Sequence, residues 1–202
     1  YLKNMKHLLV SLLFIGLISP LPAQFNETIL TGRPGQSIGP RVLGKRVYQV
    51  QSGADYLFRD FKNSANNAND WVFSNVVRFG LTEKFELNAA LNWQQRSTTV
   101  SGETNRESGL SATQLGFRLN ILERKGLWPA LGFQYRLLLP LESPAFRREH
   151  LGSRAVLATS NKLSDHFSLV SNWTARWDGV SPAPDFGYVL SLSFDLGKNF
   201  GG

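Results

Sequence analysis

The 202-residue chain has no cysteine, one methionine and three histidines. Without cysteine it has neither a disulfide framework nor a thiolate metal site. His7, His150 and His166 stand far apart, and no metal-ligand spacing, G-x-S-x-G elbow or phosphate-binding glycine loop occurs. Ser164-Asp165-His166 carries the letters of a triad, but adjacent residues in a turn cannot adopt that geometry. Glu149-His150 lies in a polar stretch and reads as solvated. Helical periodicity is missing from everything after residue 46. These absences predict no enzyme, no metal and no cofactor.

Only one long apolar run is present, Leu8 to Leu21, broken by Gly16 and Pro20. It follows Met5-Lys6-His7 and precedes Pro22-Ala23-Gln24. A short basic start, an apolar centre and a small residue at the exit describe a secretory signal peptide, cleaved after Ala23. The rival is an uncleaved anchor, for which the run is short against the ~20 residues of a spanning helix. No cysteine follows it, so lipoprotein anchoring has no attachment point. Tyr1 to Asn4 precede the only methionine and read as lying upstream of the true start. Residues 1–23 hold Lys3 and Lys6 and no acid, which leaves 20 of the 22 basic residues against all 15 acids.

From residue 46 onward the period is two. Phe85, Leu87, Ala89, Leu91 and Trp93 alternate with Glu86, Asn88, Asn92, Gln94 and Arg96. The same holds over 46–58, 71–81, 111–122, 129–139, 167–177 and 185–195. Only 151–161 is ambiguous, because Val156 shares the parity of Arg154 and Ser160 while Leu151, Ala155 and Leu157 hold the other. Strict alternation means strands with one apolar and one polar face. Eight strands of about 10 residues result, the length of a tilted membrane-crossing strand.

The connections are of two kinds. Short ones at 81–85 (LTEKF), 122–127 (LERKGL), 163–167 (LSDHF) and 196–200 (LGKNF) alternate with longer polar ones at 59–70, 97–110, 140–150 and 178–184. Short turns on one side and long loops on the other describe an outer-membrane barrel. Trp71, Trp93, Trp177 and Phe186 fall by the long loops, and Phe79, Phe85, Phe167 and Phe194 by the short turns, as two interfacial girdles would. The predicted fold is therefore all-β, an up-and-down antiparallel transmembrane β-barrel spanning 46–202. The rival is a secreted soluble sandwich or ligand-binding barrel, whose apolar face would point inward. LGKNF opens a turn to a ninth strand, and open edges are not viable in lipid. The expectation is a barrel of ten or more strands cut short at its C-terminus; the alternative is that strand eight closes on strand one.

At this point the residues resemble a known family. TILTGRPGQSIGPRVLGKRVYQVQSGADY (28–56) is similar to the N-terminal signature of the phenol-degradation MetA-pathway proteins, often labelled "transporter". That signature runs T-D-R-P, then Gly, then Q-x-E-x-G. Thr31-Gly32-Arg33-Pro34 has Gly32 in place of the acid, and Gln49-Val50-Gln51-Ser52-Gly53 has Gln51 in place of the Glu. A second block, R-[YF]-G-L-T-[DE]-x-[FLV]-E-L, is matched by Arg78 through Leu87. The resemblance implies an outer-membrane barrel and small-molecule transport; it supplies no catalytic residue and no defined substrate.

The polar parity collects Arg78, Arg96, Arg118, Arg136, Arg154 and Arg176, with Gln49 and Gln51 and the acids Asp55, Glu86, Asp185 and Asp195. Arg78 and Glu86 are equidistant from Thr82 and are expected to face each other across the hairpin. One reading is that these charges pair and fill a narrow lumen, since burial demands pairing. The other is an anion-attracting conduit. Residues 24–45, rich in Gly and Pro, form either a disordered arm or a lumen plug, in which Arg33 and Arg41 would meet lumen acids. Three functions are carried forward. The first is a barrel that passes or binds a small anionic or aromatic solute. The second is a non-transporting structural or partner-binding barrel with a filled lumen. The third and weakest is a lipid-modifying barrel enzyme. The expected surroundings are outer-membrane lipid, with no nucleic acid; oligomeric state is left open.

Overall fold

The computed structural model describes residues 37–60, 67–126, 128–164 and 166–194. Eight strands follow one another: β1 (Tyr48–Asp60), β2 (Asn67–Gly80), β3 (Phe85–Val100), β4 (Glu103–Leu122), β5 (Ala130–Leu138), β6 (Gly152–Lys162), β7 (Phe167–Trp177) and β8 (Asp185–Phe194). Each pairs antiparallel with its sequence neighbour, in the order β1 to β8. The result is one up-and-down sheet, curled into a half-barrel.

Two of the short turns form by one local device. In LTEKF the amides of Leu81 and Thr82 both donate to the Phe85 carbonyl, at 2.9 and 3.1 Å. In LSDHF those of Leu163 and Ser164 donate to the Phe167 carbonyl, at 2.8 and 3.1 Å. The hydroxyl at the second position accepts from the backbone inside the turn, Thr82 from Lys84 and Ser164 from His166 and Phe167. Ser164 is thus occupied as a turn former. The copy at 196–200 lies outside the described residues.

The polar connections differ from expectation. Residues 97–110 are strand: β3 and β4 run on to a two-residue turn at Ser101-Gly102, both with positive φ. That geometry matches strand twist and gives a tight hairpin. Residues 67–70, expected in a loop, begin β2. The β5–β6 connection carries a 3-10 turn at Pro144–Phe146 and folds onto β4, with the Ser143 amide donating to the Leu110 carbonyl at 2.9 Å. The β7–β8 loop is tied by Asp178, whose carboxylate accepts from the Val180 and Ser181 amides at 2.9 and 2.8 Å, contacts that hold its carboxyl below the usual carboxylate range.

Burial across the sheet is reversed relative to a water-soluble protein. Glu86 and Arg78 are 0 % and 2 % exposed. Trp71, Trp173 and Phe186 are 47 %, 51 % and 81 % exposed. The apolar parity forms the outer face throughout. Pairing settles β6: Val156 and Ala158 are buried on the inner face beside Arg154, while Leu157 is exposed on the outer one. Outer aromatics gather in two groups. Tyr56, Trp71, Phe73 and Trp93 neighbour one another by the long connections. Tyr48 stacks on Phe79 with ring centroids 4.3 Å apart, and Phe85, Phe117, Phe133 and Tyr135 cluster beside the short turns. From Trp71 to Phe79 the strand advances ~27 Å before tilt.

Candidate functional site

The inner face is read most clearly as rows running across the strands. One row is Gly80, Glu86, Arg118, Gln134, Val156 and Thr174, from β2 to β7. The next, two residues further from the short turns, is Gln49, Arg78, Asn88, Gly116, Arg136, Arg154, Arg176 and Asp185, one residue from each of the eight strands. Most of the sequence-predicted inner residues fall in these two rows.

Arg78 and Glu86 meet, though not as direct opposites. The turn centres one residue later than Thr82, so Arg78 stands opposite Asn88 and Glu86 opposite Gly80. The diagonal is bridged by a fork: Arg78 Nε donates to Glu86 Oε1 and Nη2 to Oε2, both at 2.6 Å. Two parallel charge-assisted bonds in a buried setting are the strong form of this contact. Arg78 Nη1 also donates to Gln49 Oε1 at 2.7 Å.

Segment 37–45 lies across the inner face. The Ile38 amide donates to Asn172 Oδ1 at 2.7 Å and Asn172 Nδ2 donates back to the Ile38 carbonyl at 2.9 Å. Arg118 Nη2 donates to the Gly39 carbonyl. The Leu43 amide donates to Glu86 Oε2 at 3.0 Å. The segment therefore crosses from β7 to β3 as a strap, with its own Val42 and Leu43 buried. Two glycines permit this approach. A Cβ on Gly132 would strike the Pro40 backbone, and one on Gly80 would overlap the Gly44 carbonyl. Arg41 makes no ion pair with any described residue; it lines a cavity of about 330 Å³ with Val42, Asn120, Glu123, Arg124 and Ala130. The strap meets an inner-face acid through the Leu43 backbone, a contact no side-chain pattern discloses. Arg33 lies outside the described residues.

Toward the long connections a second charge group forms around Asp70, which is 2 % exposed. Its carboxylate accepts from Arg59 and from Arg96 Nε, the latter at 3.1 Å. Arg96 also lies over the Phe146 ring, 5.2 Å from its centroid. Glu142 is buried nearby in sequence to that ring and accepts from Arg148 Nε at 2.7 Å. Asp70 and Glu142 were missed in the sequence, while Asn88 and Asn172 fell on the polar parity without being singled out. Asp70 shares the parity of Ser74 and Arg78, so extending that alternation one step back would have found it; Glu142 sits in an irregular stretch and leaves no such signal. Asp55 is exposed on β1, and Gln51 stands opposite Val76. Among the described residues no group of His, Asp and Glu could hold a metal ion.

The charges divide into two kinds. Arg78, Arg59, Arg96 and Arg148 each meet a carboxylate. Arg136 is held instead by neutral oxygens, Asn88 Oδ1 at 3.0 Å and Gln114 Oε1 at 3.2 Å. Arg154 and Arg176 are exposed and form no ion pair with described residues.

These features define a curled all-β meander with a charged inner face and an apolar outer one. The chain belongs to the family described as "Putative MetA-pathway of phenol degradation", whose model matches residues 31–202. No curated protein matches the chain.

Proposed function

We propose that the sheet is part of an outer-membrane β-barrel that admits a small solute to an arginine-lined interior. One observation carries this reading: the face that buries charge is the inner one, and the face that bears tryptophan, phenylalanine and leucine is outermost and uncovered. In water an apolar surface this extensive is rare on a monomer. In hydrocarbon it is the required exterior, and the interior is then polar. Two bands of aromatic side chains separated by about 27 Å of strand suit the two lipid interfaces. Unpaired strand edges are excluded from lipid, so the reading requires β1 and β8 to be joined, either to each other or through further strands. Export by a cleaved signal at 1–23 fits the same location. The strap at 37–45 then acts as a plug, with polar ties to both walls.

A filled, non-conducting barrel is the second reading, favoured by the strap and by the Arg78–Glu86 fork. Planar-bilayer conductance on the full chain separates the two. Anion-preferring steps, reversed toward cations by Arg118→Glu, support the conduit. Silence from protein whose folding is verified by heat-modifiable gel migration supports the filled barrel and overturns the conduit.

A further inference from the structure

The row containing Arg136, Arg154 and Arg176 places three guanidinium-bearing residues directly opposite one another on β5, β6 and β7. Like charges facing across neighbouring strands are destabilising. Elsewhere on this face Arg59, Arg78 and Arg96 each meet a carboxylate; these three do not. Asp185 stands opposite Arg176 at the end of the row, but no ion pair joins them. Arg136 is nonetheless positioned with care. Its side chain lies over Gly116, where a Cβ would strike Arg136 Cγ, and so it reaches across β4 to Asn88 on β3. Its two side-chain partners are amide oxygens, which fix direction without cancelling charge. Asn88 is 5 % exposed and its Nδ2 donor has no hydrogen-bond partner.

The position of this row matters as much as its charge. The strap occupies the two rows nearer the short turns, through Asn172, Gly132, Arg118 and Glu86. The β5–β6 connection folds over β4 from the other end, bonded to Leu110 and Thr113. The arginine row lies between them; Arg154 and Arg176 there are exposed, and Arg136 is half-buried.

We propose that Arg136, Arg154 and Arg176 form a binding site for small organic molecules carrying two anionic groups, either carboxylates or phosphates. Neighbouring strands are ~4.8 Å apart, so the three positions span ~10 Å of backbone. One anionic group can be shared by each adjacent arginine pair, and guanidinium forks suit both oxyanions. The proposal rests on the inner face being open to solutes and adds which solutes it selects.

Calorimetric titration of the full chain, refolded in detergent and checked by heat-modifiable migration, tests it with two matched pairs, adipate against butyrate and fructose 1,6-bisphosphate against fructose 6-phosphate. At least one two-group ligand is expected to bind tenfold or more tighter than its one-group counterpart. Arg154→Gln should remove that advantage, while Arg106→Gln, on the distant β3–β4 hairpin, leaves it intact. The pair with the larger advantage identifies carboxylate or phosphate as the preferred group. Equal binding within both pairs, no binding of either two-group ligand, or indifference to Arg154→Gln overturns the site. Two-group binding by a chain that shows no conductance would retain the site and remove the conduit; conductance without a two-group preference would do the reverse.

Discussion

Replacing Leu115 by arginine distinguishes a lipid-facing exterior from a water-facing one. Leu115 lies on β4 opposite Ala89, with its side chain on the outer face and 50 % exposed. Along its own strand and its neighbour it stands between Phe117 and Phe85 on one side and Trp93 on the other, so it falls near mid-depth of the aromatic bands. If that depth is the hydrocarbon midplane, an arginine there costs ~2–4 kcal/mol. At 1.4 kcal/mol per decade, folding would weaken by roughly 30- to 700-fold. If the face is in water, the same exchange at a half-exposed position should change stability by no more than about 0.5 kcal/mol. The assay is equilibrium urea unfolding in phospholipid vesicles. Leu163→Arg serves as the depth control: Leu163 opens a short turn, is 60 % exposed and should cost only ~0–1 kcal/mol near the interface. If Leu115→Arg proved no more costly than Leu163→Arg, the lipid-facing assignment of the outer face would be refuted.

Two further predictions concern the inner face. Glu86→Gln leaves Arg78 buried without its countercharge, and stability should fall by ~3–5 kcal/mol in the same urea assay. Joint replacement by Arg78→Met and Glu86→Leu should recover most of that loss; a single-mutant cost under about 1 kcal/mol would show that the fork carries no weight. Gly80→Val drives a side chain into the Gly44 carbonyl. It should lift the strap, cost ~1–3 kcal/mol by overpacking, and speed protease cleavage within 37–47. Digestion at the parent rate would show that the strap is not seated where Gly80 allows it.

Alternation reads well where the two faces meet different surroundings. Strand β3 is legible from Phe85 to Arg96 because every second residue is apolar. It fades over Ser97 to Val100, although the strand continues, because that extension lies past the outer aromatics and has no apolar face to maintain. The only remaining signal there was Ser101-Gly102, turn chemistry that a long-loop reading passed over. The same loss of contrast hid Asn67 to Asp70 at the start of β2.

The sequence by itself determined the strands, their sequential pairing and which parity carries the arginines. Those properties follow from a period-two pattern and from turns whose bonds join residues at most four apart, as in LTEKF and LSDHF. Tertiary structure alone decided the rest. It set the register that makes Arg78 meet Glu86 diagonally, the face on which Val156 is buried, and the path by which Ile38 reaches Asn172, 134 residues away. It also aligned Arg136, Arg154 and Arg176 in one row. The physical reason is that register is the accumulated outcome of every turn and bulge before it. The shifts at Asn92/Trp93 and Asn120/Leu122 move each later residue relative to the earlier strands. No local pattern contains that sum.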